Sequence, residues 1–324
     1  MAVTLLSDPN QPTASRAAGG LLQVAGSRLS ASHLKLRQAC WAYYPDFLDA
    51  LPGPVLLRRD GHLRLGGSVT ARQGYLSTLK GLGVRGEVWS QDRLDRDTGG
   101  AVTAEGAVWL ADAALDPEHL LDVLDTALQT GNVRRVSAQV TRVEAHRVGD
   151  REGQVWSADL VVLACGAGLS NLSPDQDWGY REEPGWGAVF AGRLPFGCSL
   201  EGAGQTLVPT DTGWRLAGSQ DWSDPPPLRS LVAWEGEETA RRSGSRCTAP
   251  DGLPVAGRRA DGVYLLGGLG RNGLLTAPLL ARGLAATMLG AEPADWLLPF
   301  APGRPGIGEH KKWARRIGPI SNHS

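Results

Sequence analysis

The sequence has no cysteines spaced to grip a metal or to act as a redox pair: Cys40, Cys165, Cys198 and Cys247 lie far apart, without a C-x-x-C. That excludes a zinc ribbon or a thioredoxin-type site and predicts reduced, mostly structural thiols. No apolar run approaches the roughly 18 residues of a membrane span, and no secretory leader is evident, so a soluble cytoplasmic protein with no membrane partner is expected. A formal charge of -1 over 324 residues excludes a chain-wide basic footprint for nucleic acid and leaves only a local patch open. The phosphate loop G-x-x-x-x-G-K-[ST] is absent, as are a recognisable Ser/His/Asp triad and a metal-ligand cluster. None of the six histidines lies in a catalytic frame.

What remains is long enough for one large domain or two coupled ones with a core of their own. Glycine (43) and proline (21) are high and spread through the chain, which suits an α/β fold with many turns. The most informative stretch runs from Asp251 to Gly290. A turn at Asp251, Gly252 and Pro254 precedes an apolar strand, Val263 to Leu266. The chain then crosses Gly267, Gly268, Gly270 and Gly273 into a small-residue helix with Pro278 near its start. Bare N–H groups at such a helix start, backed by its dipole, suit an anionic or electron-rich ligand. Arg271, inside the turn, is a permanent clamp for a carboxylate or phosphate. The turn is read here as distinct from the dinucleotide fingerprint, and a plain structural strand-turn-helix remains open on local chemistry alone.

Along the chain, Ala2 to Leu6 reads as a strand, and Ala31 to Leu51 as a helix ended by Pro52-Gly53-Pro54, with His33 at the helix start or on the surface. Residues 55 to 110 alternate short strands (Val55–Leu57, His62–Leu65, Val84–Trp89, Ala107–Leu110) with turns, which suggests an inserted antiparallel sheet. A helix capped by Asp116 runs to Leu128, and Val133 to Ala145 reads as strands. Ala158 to Gly168 is continuously apolar, as a strand buried on both faces requires, with Cys165 an inert buried thiol. Further strands are expected at 187–191, 205–208 and 214–217. Trp178, Trp186, Trp214, Trp222 and Trp234 supply bulk, Pro225 to Pro227 an exposed loop, and Leu228 to Arg242 a polar helix. The last twenty residues, with Lys311, Lys312, Arg315 and Arg316, are expected as a solvated tail.

The order D-G-x-P-x-x-G, apolar strand, G-G-x-G-R-N-G-L-L-T-A-P, helix resembles the C-terminal flavin segment of the D-amino-acid oxidase superfamily. R-N-G with L-L-x-A-P is similar to glycine oxidase; G-L-G with T-A-P-L-L-A is similar to the oxidase domain of the bacterial bifunctional enzyme maturing 5-methylaminomethyl uridine in tRNA. Thr13 to Leu22 and Ala158 to Gly168 resemble two further flavin segments. The resemblance implies a Rossmann-like FAD-binding domain (1–50, 110–175, 245–304) and an inserted, mainly antiparallel substrate sheet (51–109, 176–244), followed by a tail (305–324). It implies FAD held by Asp8, Ser15, Arg16, Ala18, Gly19, Val140, Ala164, Gly166, Gly268, Gly270, Asn272, Gly273, Leu274, Leu275 and Thr276. Asp8 stands one place after the usual ribose acid, where Ser7 falls. The family's first strand with its G-x-G-x-x-G has no counterpart near the start of this sequence, and the expected reading is a misassigned or truncated start.

The implied reaction is oxidation of the C–N bond of a carboxylated amine, with Arg271 and Arg246 holding the carboxylate and Arg271 the principal anchor. O₂ or another acceptor would take the electrons. The substrate is a small amino acid such as glycine or sarcosine, or the carboxymethylaminomethyl group of a tRNA wobble uridine. A glycine or D-amino-acid oxidase, and a flavin-free relic or binding module, stay open beside it. The oligomeric state is not legible.

Overall fold

The computed structural model describes residues 2–25, 30–172, 179–219, 227–305 and 307. The chain folds as two compact units. The first comprises residues 1–11, 132–183 and 245–324, and the second 12–131 and 184–244. Residues 12–50 and 110–131, expected with the nucleotide part, group with the inserted sheet. The physical reason lies in their contacts with that sheet. Arg58 bridges Ala114, Gln23 donates to Glu201 at 3.2 Å, and Arg215 donates to the Arg16 and Ala18 carbonyls and faces Asp116.

In the first unit, strand Val3–Ser7 runs parallel to Val133–Ser137. A separate sheet orders Val162–Leu163, Tyr264–Gly267 and Val255–Arg258, its first pair parallel and its second antiparallel. Val161, Leu163, Leu169, Ala249, Val255, Val263 and Leu265 bury one another behind it. The 158–168 run is not buried on both faces as expected. Val161 and Leu163 are buried, but Val162 is 41% exposed, because only two of its residues enter a ladder and one face stays uncovered. Cys165, expected buried, is exposed; the protein around it still pushes its thiol up to about 11.

Arg304 closes this unit's Asp251–Gly252 turn. Its Nε and Nη2 donate to the two carboxylate oxygens of Asp251 at 2.8 and 3.0 Å, and Nη2 also reaches the Leu253 carbonyl at 2.9 Å. A planar fork meeting a planar carboxylate fixes orientation as well as distance.

The second unit is built on an eight-stranded sheet in the order Glu238–Thr248, Arg181–Ala191, Gly213–Gly218, Gln205–Pro209, Ser199–Gly202, His62–Leu65, Gly106–Leu110, Gly86–Ser90. From Arg181–Ala191 to Gly86–Ser90 its neighbours pair antiparallel, except for Ser199–Gly202 beside His62–Leu65, which is parallel. Its core holds Trp186, Phe190, Trp214 and Trp234. Phe190 stacks on Trp214 at 4.0 Å between centroids, and Trp234 meets Trp214 edge-on at 5.2 Å. Such ring pairs add about 0.5–1.5 kcal/mol each beyond area burial. Trp178 and Trp222 lie outside the described residues, as do Pro225, Pro226 and the cations from Lys311 to Arg316.

Three expectations fail here. Leu228–Arg242 is not a helix: a short 3-10 turn at Pro227–Ser230 gives way to the strand Glu238–Thr248, so sheet pairing overrides the helix preference of its Glu, Ala and Arg residues. Val55–Leu57 forms no strand; only Arg58 makes an isolated bridge, to Ala114. The 55–110 segment also contains two helices, Val69–Gly81 and Gln91–Thr98. Each opens on a serine whose side chain accepts from a backbone amide: Ser68 from Ala71 and Ser90 from Arg93.

Candidate active site

In the first unit, the strand Tyr264–Gly267 empties into a left-handed turn, with Gly268 at φ +63° and Gly270 at φ +55°. A 3-10 turn, Gly270–Asn272, then leads into the helix Gly273–Met288. By letter, Gly268 to Gly273 does satisfy G-x-G-x-x-G, contrary to the expected reading. The 3-10 turn before the helix and the antiparallel neighbour Val255–Arg258 set it apart from a first βα turn. Both glycines are required. A Cβ on Gly268 would fall 3.1 Å from Ala249 Cβ and 3.2 Å from the Tyr180 ring, and one on Gly270 would fall 3.1 Å from Thr248 Oγ1. The helix start has no side-chain cap from Asn272, so its first N–H groups remain for a ligand. Leu275 and Thr276 are buried, and Thr276 Oγ1 donates back to the Asn272 carbonyl at 2.9 Å. Pro278 sits inside the helix, a turn beyond its start.

Thr248, at the end of strand Glu238–Thr248, bridges Leu269 of this turn. Two residues earlier, on the same strand face, stands Arg246. Its Nε and Nη2 are buried and have no hydrogen-bond partner among the described residues. These two nitrogens form one edge of the guanidinium plane, the edge that takes a carboxylate through two parallel bonds. Burial first, and then the like charge of Arg271, hold the Arg246 guanidinium below the usual arginine range, against a smaller opposing pull from Glu183. The structure therefore brings the two expected arginines into one electrostatic neighbourhood. They differ in setting: Arg271 is exposed and Arg246 is half-buried.

The other expected cofactor residues divide between the units. Asp8 lies just past strand Val3–Ser7, but its Oδ1 already accepts the Asn10 amide at 2.9 Å. Val140 opens the strand Val140–Glu144. Ala164 and Gly166 are exposed beyond Val162–Leu163, and a Cβ on Gly166, at φ +56°, would meet nothing within 4 Å. That open backbone and the uncapped helix start fit a large flat cofactor approaching main chain. Ser15, Arg16, Ala18 and Gly19 belong to the second unit. There Gly19 packs on Ala217, Ser15 is exposed, and Arg16 reaches Asp122 at 3.4 Å. Among the described residues no cluster of His, Cys, Asp or Glu could hold a metal.

Sequence reasoning missed two buried charged centres in the second unit. His62, fully buried, lies between Asp112 Oδ2 at 3.3 Å and Glu201 Oε2 at 3.5 Å. Arg215, 1% exposed at its side chain, faces Asp116 at 3.4 Å and Glu118 at 3.6 Å. The one available signal was a charged residue inside an otherwise apolar strand.

The family model for FAD-dependent oxidoreductases of the DAO type matches residues 1–287. The bifunctional tRNA 5-methylaminomethyl-2-thiouridine biosynthesis protein MnmC of Maricaulis maris is 30% identical over 221 residues, covering 64% of this chain and 36% of that protein. Glycine oxidase of Pseudomonas aeruginosa is 33% identical over 113 residues, covering 34% of this chain and 30% of that protein. The chain thus spans about a third of the length of the curated relatives it matches. Among solved structures, glycine oxidase from Geobacillus kaustophilus superposes with a TM-score of 0.82 at 19% identity, covering 94% of this chain and 92% of that one. Iminodiacetate oxidase from Chelativorans sp. BNC1 gives 0.80 at 14% identity, over 93% of each chain. With the family model spanning most of its length and the fold in agreement, the chain belongs to the DAO family of FAD-dependent oxidoreductases.

Proposed function

We propose that this protein oxidises the C–N bond of a carboxylated amine and that its preferred substrate is an N-substituted glycine. The observation that supports it most is the unpartnered, buried Nε–Nη2 edge of Arg246 beside Arg271. Two cations held together, one of them desolvated, are costly unless an anion arrives. A carboxylate on the open Nε–Nη2 edge satisfies Arg246, and the Arg271 charge strengthens its hold. Arg246 thus takes over from Arg271 as the principal anchor, with Arg271 adding field from the exposed side.

FAD, when bound, supplies the two-electron acceptor for the amine carbon. The chain's own part is orientation. Arg246 fixes the carboxylate, which places the neighbouring C–H and amine. The start of helix Gly273–Met288, with Gly268 and Gly270, would meet the flavin, and its N–H groups would favour negative charge there. Ala164, Gly166 and Val140 would line the cofactor in the same unit; for Ser15, Arg16, Ala18 and Gly19 the resemblance implies a cofactor contact as well. The amine gives up a hydride, two electrons and one proton, to become an iminium, which loses a second proton to water as the imine or is hydrolysed directly to a carbonyl and the freed amine, and O₂ or another acceptor takes the electrons.

Leu269 and Gly270 offer no ring to close over a small amino acid, which favours an amine carrying a larger group. The curated relatives include MnmC proteins of several bacteria, so a carboxymethylaminomethyl uridine in tRNA is the large substrate to test. Comparison of kcat/KM for glycine, sarcosine and that tRNA, after reconstitution with FAD, decides the matter. Preference for free glycine would move the protein to the glycine-oxidase reading. Failure to take up FAD at all would favour a binding module.

A further inference from the structure

We propose that Arg215, not itself a proposed ligand contact, is a positioning residue that sets the conformation of the Thr13–Gly20 turn. The functional consequence rests on the reading above, in which Ser15, Arg16, Ala18 and Gly19 of this turn meet the cofactor. All the groups concerned belong to the second unit.

The guanidinium of Arg215 is enclosed, and its three nitrogens are shared among four partners. Nη2 donates to the Arg16 carbonyl at 2.8 Å, Nε donates to the Ala18 carbonyl at 3.3 Å, and Nη1 faces the Asp116 and Glu118 carboxylates. Those two carboxylates lie at the start of helix Pro117–Thr130. Arg215 therefore ties alternate carbonyls of the turn to a helix terminus. A rigid planar fork can do this; a flexible point charge cannot hold both carbonyls at once.

The remaining contacts of the turn agree with this role. The Ala17 carbonyl lies where a Cβ on Gly187 would sit, 2.3 Å from that position, so glycine there admits the turn's backbone. The Gly20 carbonyl accepts from the Leu115 amide at 3.1 Å. The carbonyls of Arg16, Ala18 and Gly20 thus all accept hydrogen bonds, and that of Ala17 packs against Gly187. Carbonyl oxygens repel a diphosphate, whereas backbone N–H groups attract it. Drawing the Arg16 and Ala18 oxygens inward removes that repulsion, while the amides of Arg16, Ala17 and Ala18 donate within the turn to the Thr13 and Ser15 carbonyls and help to hold its one conformation.

The test uses Arg215→Met, which removes charge and fork, and Arg215→Lys, which keeps the charge. Hydrogen exchange of amides 15–20 is followed beside amides 205–208 of the neighbouring strand, and FAD binding is read from quenching of flavin fluorescence. Arg215→Met is expected to speed exchange of amides 15–20 about tenfold or more while amides 205–208 stay protected. Guanidinium ion should restore protection and sodium chloride of equal strength should not. Arg215→Lys should exchange nearly as fast as Arg215→Met, because the fork is what matters. FAD affinity should fall about tenfold in both variants. Unchanged exchange at 15–20, or a uniform rise across both segments without guanidinium rescue, would overturn the proposal. A wild-type protein that takes up no FAD would sink the functional reading instead, and exchange with guanidinium rescue would still decide the role of Arg215.

Discussion

Arg246 lies in the field of Arg271, and the like charge adds to burial in holding the Arg246 guanidinium below the usual arginine range. Two of its N–H groups point at nothing in the described protein. The pair is unfavourable for the fold and suited to an anion, which makes stability and substrate binding move in opposite directions.

Arg246→Met is expected to raise the thermal stability of the ligand-free protein. Removing buried donors without partners returns about 1 kcal/mol or more. Differential scanning calorimetry of the two proteins checks this, and a lower Tm for the variant would show that Arg246 is satisfied in solution.

The same substitution should weaken the reaction. Loss of a partly desolvated, charge-assisted carboxylate contact costs on the order of 2–5 kcal/mol. It should appear as a lower kcat/KM for a carboxylated amine with unchanged flavin content. Arg271→Met should cost less, because its more exposed charge is screened by water. Steady-state kinetics in which Arg271→Met does the greater harm would restore Arg271 as the principal anchor.

His62 gives the fold a pH signature. Burial disfavours its imidazolium, but the hydrogen bond to Asp112 and then the Glu201 carboxylate overcome this and raise its pKa. Burial likewise disfavours the Glu201 carboxylate, and His62 outweighs it, bringing Glu201 down to about 2. A raised histidine contributes fully below its ordinary 6.5 and loses that contribution as pH climbs through the folded value. A lowered glutamate contributes fully above its ordinary 4.5 and loses it as pH falls toward about 2. The contribution of the pair should therefore be largest between 4.5 and 6.5. Urea unfolding across pH should show this maximum flattened in His62→Asn, most visibly by a loss of the alkaline decline. An equally steep alkaline decline in the variant would assign it to other groups.

Gly268→Ala should lower stability by about 1–2 kcal/mol, the cost of placing a side chain in the left-handed region. The contacts at 3.1 and 3.2 Å leave it little room to relax. A shift in the urea midpoint measures the effect, and an unchanged midpoint would mean that the turn adopts another conformation.

Elements with one dominant local signal were legible in the sequence. Ala31–Asp49 and Pro117–Thr130 carry apolar spacing and, in the second, an Asp-Pro start. The strand Tyr264–Gly267 is bounded by glycines and aspartate. Helix Gln91–Thr98 was missed although Ser90 caps it and Gly99, at φ +63°, ends it, because its face offers only Leu94 and Thr98 to the core. Strand Glu238–Thr248 was misread because its pairing partner is distant in sequence. Arg271, from its turn, and Arg246, from the resemblance, are expected as anion binders, but which of them is desolvated depends on burial that only the folded chain has. His62 and Arg215 were silent for the same reason: their partners come from residues 16–18, 112–118 and 201.

The left-handed glycines of the 268–270 turn also set what variation that turn can explore. With Gly268 and Gly270 fixed by backbone geometry, side-chain diversity between Gly267 and the helix is channelled into Leu269, Arg271 and Asn272. A library randomised across 268–272 should yield folded members almost wholly altered at those three positions. New amine specificities on this scaffold would then arise by exchanging what flanks the glycines, while the path of the main chain stays the same.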